Sequence, residues 1–130
     1  MDKKFSIINK TKGKLPNLPF LLFKNDILGK NYSLSIAFLG EKESKTINKK
    51  YRKKNKAANI LSFPLRPNLG EIMLCPTTIK REAKSFGKTF RQFLNFLVIH
   101  GMLHLKGLEH GSKMEKLEEK YLSRTKFFIK

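Results

Sequence analysis

An α+β fold is predicted: a small mixed β-sheet of about four strands covered by about five helices. Two observations carry this prediction. Tyr32 to Leu39 alternates Tyr32, Leu34, Ile36 and Phe38 with Ser33, Ser35 and Ala37, the period-two pattern of a strand with one buried face. Elsewhere short strand-like and helix-like segments are mixed, while the C-terminal part reads as helix throughout.

Taken in order, Phe5 to Asn9 reads as a short first strand. Lys14 to Gly29 holds Pro16 and Pro19 ahead of Phe20, Leu21, Leu22, Phe23, Ile27 and Leu28, a helix entered through proline and ended by Gly29. Gly40 closes the Tyr32–Leu39 strand. Ser44 is placed to cap a second helix, with Ile47 and Tyr51 on its buried side at i, i+4. Asn59 to Phe63 reads as a strand stopped by Pro64. Pro67, Asn68 and Gly70 mark a turn, and Glu71 to Cys75 forms a further strand. Pro76 opens a helix through Lys84 that ends near Gly87. Thr89 and Gln92 form a capping-box pair that starts the longest helix, Phe90 to about Lys106. A second such pair, Ser112 and Glu115, starts the last helix, with Met114, Leu117 and Tyr121 on one face.

At 130 residues the chain is read as one domain, 1–130, large enough for a core. Its most apolar run, Phe93 to Ile99, is interrupted by Asn95 and falls short of the ~18 residues that span a bilayer. The apolar stretch after Lys4 is too short for a signal-peptide core. A single cysteine excludes an internal disulfide. These features point to a cytoplasmic protein without a membrane partner. The formal net charge of +18 suits a polyanion such as RNA, since each cation set against a phosphate releases a counterion. A lysine-, asparagine- and isoleucine-rich composition can also arise from A·T-rich coding alone.

All three histidines of the chain lie between positions 100 and 110. His100 and His104 stand at i, i+4, so a helix presents both imidazoles on one face, the geometry that chelates one ion. Gly107 ends that helix, and the returning chain offers His110 as a third ligand. Three protein ligands leave a fourth position open, as in a catalytic rather than a closed structural site. The run resembles the zinc-protease motif H-E-x-x-H-x-x-G-x-x-H, but Gly101 stands where that motif has its glutamate base. A metalloprotease reading is weakened accordingly.

The stretch His100-Gly101-Met102-Leu103-His104-Leu105-Lys106-Gly107-Leu108-Glu109-His110 is also similar to the signature of the YbeY family of bacterial endoribonucleases of rRNA maturation. Asn48-Lys49-Lys50-Tyr51-Arg52 leading to Leu61-Ser62-Phe63-Pro64, and Leu69-Gly70-Glu71-Ile72, resemble two further blocks of that family. The similarity covers roughly residues 30 to 122. It implies a zinc-dependent, single-strand-specific ribonuclease acting on ribosomal RNA precursors, at the 3′ end of small-subunit rRNA, and in ribosome quality control. It implies His100, His104 and His110 as ligands of one Zn²⁺ or other divalent ion per chain, and a functional Arg52. RNA and the ribosome are the partners implied, with no nucleotide cofactor. The alternative is a non-catalytic RNA- or ribosome-binding assembly factor with a structural metal. The chain departs from the family at acidic positions: Ala58-Asn59 replaces Thr-Asp, Glu109 replaces an Asp, and Glu71 replaces another.

Arg52 has two readings, a bidentate phosphate clamp near the metal or a solvated cation favoured at a helix C-terminus. Glu109 can support His110 from behind or orient water. Cys75 reads as a buried small residue, and Phe90, Phe93, Phe96 and Leu97 as core. Lys49 to Lys56 forms a solvated face that, beside Arg52, can line a path for RNA. Glu115, Glu118 and Glu119 read as solubilising and capping residues of the last helix.

Overall fold

The computed structural model describes residues 4–15 and 17–125. Four strands, β1 (Phe5–Asn9), β2 (Ser33–Phe38), β3 (Ile60–Arg66) and β4 (Leu69–Leu74), form one sheet in the order β1-β2-β4-β3. β1 runs parallel to β2 and β2 parallel to β4, whereas β3 is antiparallel to β4. The sheet is therefore mixed, as expected for the α+β class. Leu34, Ile36 and Phe38 pair with Gly70, Ile72 and Leu74, so the alternation read in the sequence places one continuous buried row on each of the two central strands.

Five helices complete the described residues: α1 (Phe20–Ile27), α2 (Glu41–Arg52), α3 (Pro76–Ser85), α4 (Phe90–Leu105) and α5 (Ser112–Thr125). α4 is the central one, packing on β3 and β4 and touching α1, α3 and α5. Phe93, Leu94, Leu97, Val98, Met102 and Leu103 of α4 all join the buried cluster, as the apolar run requires. The Thr89–Gln92 capping box is formed with both of its hydrogen bonds. Among the described residues, no helix is long and apolar enough to cross a membrane.

Three details differ from the sequence reading. Gly40, and not Ser44, occupies the N-cap of α2. Ser44 lies one turn inside, where its hydroxyl accepts from Ala58 N at 3.0 Å and donates to Ala58 O at 2.9 Å. Asn48, one turn further along, donates to Lys56 O at 2.8 Å. The buried side of α2 is thus polar, pinning the loop that leads into β3, while Tyr51 faces outward and is 61% exposed. Second, β3 continues through Pro64 to Arg66, with an irregular register between them. An edge strand tolerates proline because its outer side needs no ladder partner. Third, α1 begins at Phe20 behind Pro19, later than the proline-rich segment suggested; Pro16 lies outside the described residues.

Candidate metal centre

The three histidines converge because α4 stops where it does. Gly107 adopts φ +101°, and its N–H donates to His104 O at 2.9 Å while Leu108 N–H donates to Leu103 O at 3.1 Å. These two bonds are the Schellman closure, which needs a left-handed residue that only glycine adopts without strain. The chain then returns across the end of the helix and delivers His110. One ring nitrogen from each of His100, His104 and His110 lies within 4.8 Å of the others. His100 and His104 are partly buried, and His110 is exposed.

The ring tautomers follow from the partners. His100 Nδ1 is 2.7 Å from Glu118 Oε2, and His104 Nδ1 is 3.1 Å from Leu108 O. A carboxylate and a carbonyl can only accept, so both Nδ1 atoms donate, and a neutral ring at either position presents Nε2 as its lone pair. Those Nε2 atoms face each other at 3.0 Å. That spacing is met either by a proton on one of the two nitrogens or by a metal ion that both of them bind. Nitrogens bound at about 2.0–2.1 Å to one tetrahedral ion would stand roughly 3.3 Å apart, close to this spacing. The residues present therefore fit a divalent ion of imidazole preference. Burial pushes the His104 imidazole below its ordinary value, and neighbouring His100 adds to the effect. The hydrogen bond to Leu108 opposes it in part. A lowered pKa favours the neutral imidazole, the form that can bind a metal.

Glu118 is the residue that the sequence reading missed. It sits on α5 one turn after Met114 and just before Tyr121, and all three are buried. A glutamate in register with the buried face of an amphipathic helix was the available signal. Its carboxylate orients His100 from behind. Glu109, assigned a similar task toward His110, lines the cleft and is exposed.

The histidines form one wall of a cleft of about 740 Å³, which Arg52, Tyr51, Phe63 and Glu109 also line. Arg52, exposed at the end of α2, is thus brought to the same cavity as the three histidines, although 48 positions separate it from His100 in the chain. The remaining expectations divide. Cys75 is buried and stands apart from the histidine cluster, accepting from Thr78 Oγ1 at 3.3 Å. Phe93 and Leu97 are core, while half-buried Phe96 stacks on His100 with ring centroids 5.7 Å apart. Gly101 has no room for a side chain: a Cβ there would stand 2.7 Å from Ile60 Cδ1 and 2.9 Å from Ser62 Oγ. The space where a zinc protease keeps its base is closed by β3.

A family model described as Endoribonuclease YbeY matches residues 9–126. Endoribonuclease YbeY of Thermodesulfovibrio yellowstonii is 42% identical over 106 residues, covering 72% of this chain and 67% of that protein. Its counterpart in Bdellovibrio bacteriovorus is 43% identical over 88 residues, covering 65% and 59%. That of Wigglesworthia glossinidia brevipalpis is 36% identical over 115 residues, covering 83% and 72%. The chain thus spans 59% to 72% of these relatives' own length. The solution structure of TM1509 from Thermotoga maritima superposes with a TM-score of 0.64 at 28% identity, covering 91% of this chain and 86% of that one. With a family model matched over residues 9–126 and relatives this similar, the chain belongs to the YbeY endoribonuclease family.

Proposed function

We propose that residues 1–130 form one metal-dependent endoribonuclease domain that cuts single-stranded RNA. The observation that carries this reading is the convergence of three imidazole nitrogens on the wall of a cleft shared with Arg52. His100, His104 and His110 would hold one Zn²⁺, the ion whose preference for nitrogen ligands and four-coordination suits three imidazoles and an open position. Bound there, such an ion would supply Lewis acidity toward a phosphoryl oxygen and toward water.

The chain's own residues do the rest. Glu118 holds His100 in the tautomer that presents Nε2 to the cleft. Arg52 offers a planar guanidinium that can take two phosphate oxygens, orienting the scissile group and offsetting charge that builds on it. Glu109 would support His110 or orient water. The net charge of +18 favours RNA over a peptide substrate. So does Gly101, which supplies no base.

By family likeness the substrates are ribosomal RNA precursors, cut at the 3′ end of small-subunit rRNA, with a further part in ribosome quality control in the cytoplasm. An assembly factor that only binds would show the same affinity for RNA, so cleavage decides between the two. Purified protein should cut single-stranded RNA more readily than duplex, lose that activity to a chelator and regain it with metal. Cleavage that persists in an equally purified His104→Ala protein would end the nuclease reading.

A further inference from the structure

Seven large apolar residues are exposed among the described residues, and of these only Tyr51 lines the histidine cleft. Tyr51 lies off the buried side of α2, whose buried positions are Ser44 and Asn48. The Tyr51 ring meets half-buried Phe63 of β3 edge to face, with centroids 5.5 Å apart and planes at 66°. Phe63 lines the same cleft. Ser44 and Asn48 hold the loop that joins the two elements, so this aromatic corner is built on anchored backbone. Its surroundings are cationic: Lys50 Nζ stands 5.2 Å from the Tyr51 centroid, and Lys49, Arg52, Lys53 and Lys54 adjoin it in sequence.

We propose that Tyr51 and Phe63 form a stacking subsite for an unpaired nucleobase, next to the phosphate that Arg52 takes. The proposal rests on the ribonuclease reading and adds what selects the strand. Every base has a flat π-face, and stacking on an aromatic side chain tolerates any sequence. A base within a duplex already has both faces covered by its neighbours, so it cannot enter without unstacking. Tyr51 and Arg52 are consecutive residues on the same cleft, matching the base and backbone phosphate of one strand. A peptide would gain little from the surrounding positive charge, whereas each phosphate would meet it.

The test is binding of a short, fluorescently labelled single-stranded oligodeoxyadenylate and of an abasic oligomer of equal length. Both keep the phosphates, and neither is a ribonuclease substrate. Wild type should bind the adenylate more tightly than the abasic probe. Tyr51→Ala should weaken adenylate binding about tenfold while leaving abasic binding and the salt dependence unchanged. Tyr51→Phe should stay within about twofold of wild type, since the ring is kept. Equal binding of both probes by wild type, full adenylate binding by Tyr51→Ala, or an equal loss on the abasic probe would overturn the subsite. RNA cleavage measured on the same preparations keeps the two readings apart. Base-dependent binding without metal-dependent cleavage would remove the nuclease and leave the subsite, and cleavage without base-dependent binding would do the reverse.

Discussion

Glu118 Oε2 lies 2.7 Å from His100 Nδ1, so a carboxylate from α5 sets the direction in which a histidine of α4 presents its other nitrogen. The contact joins two helices and the metal centre through one hydrogen bond, between side chains 17% and 10% exposed. Glu118→Ala should weaken metal affinity about 10- to 100-fold. Glu118→Gln keeps an acceptor oxygen without the charge and should fall between. Competition with a chromogenic chelator measures both, and circular dichroism checks the fold. Unchanged affinity in Glu118→Ala would show that the contact does nothing for the ligand.

Arg52→Ala should lower RNA cleavage about 10²- to 10³-fold if the guanidinium offsets charge on the reacting phosphate. Arg52 is exposed at a helix end, so the fold and the metal content should survive. Arg52→Lys should recover only part of the activity, because an ammonium lacks the two-pronged geometry. Full activity in Arg52→Ala would remove the clamp.

Gly101 tests the packing of α4 on β3. A glycine-to-alanine change inside a helix usually gains about 0.5–1 kcal/mol from propensity. Here a larger, branched side chain must push Ile60 and Ser62 away, so Gly101→Val should cost about 2–4 kcal/mol. Urea unfolding would show this as a lower midpoint at unchanged slope. A midpoint equal to wild type would mean that β3 yields freely.

The His104 shift predicts a pH dependence with a definite sign. Its folded pKa is depressed by burial and by His100, so the unfolded chain takes up a proton on this group before the folded chain does. Its contribution to stability is therefore full above its ordinary value of 6.5 and is lost as pH falls through the lower folded value. In metal-free protein, wild type should lose more stability than His104→Gln on going from neutral pH into this acid range. With metal present the same protonation should release the ion. Parallel pH profiles for the two metal-free proteins would contradict the assignment.

The histidine cluster was legible because it is local: His100 and His104 share a helical face, and Gly107 forces the turn that returns His110. The Thr89–Gln92 box and the alternation of β2 were legible for the same reason, as each is written within one element. What escaped notice depends on contacts across the fold. Ser44 has the side chain of a cap, yet its partner is Ala58 across a loop, and so the helix begins at Glu41. Tyr51 fits an apolar helical spacing, but polar Ser44 and Asn48 take the inner face because the loop to β3 needs their hydrogen bonds. Glu118 resembles its neighbours Glu115 and Glu119 until α5 is docked, when one of the three turns inward to His100. Arg52 shares a cleft with the histidines only because α2 and α4 both border it, a juxtaposition that family resemblance suggested and local spacing could not.

The most direct test of the account is metal content and RNA cleavage measured on the same purified sample. Elemental analysis should find about one divalent ion per wild-type chain. His100→Ala and His104→Ala should each lose the ion together with metal-dependent cleavage of single-stranded RNA. A His104→Ala protein that keeps a full equivalent of metal, or that cleaves RNA as wild type does, would contradict the three-histidine catalytic centre.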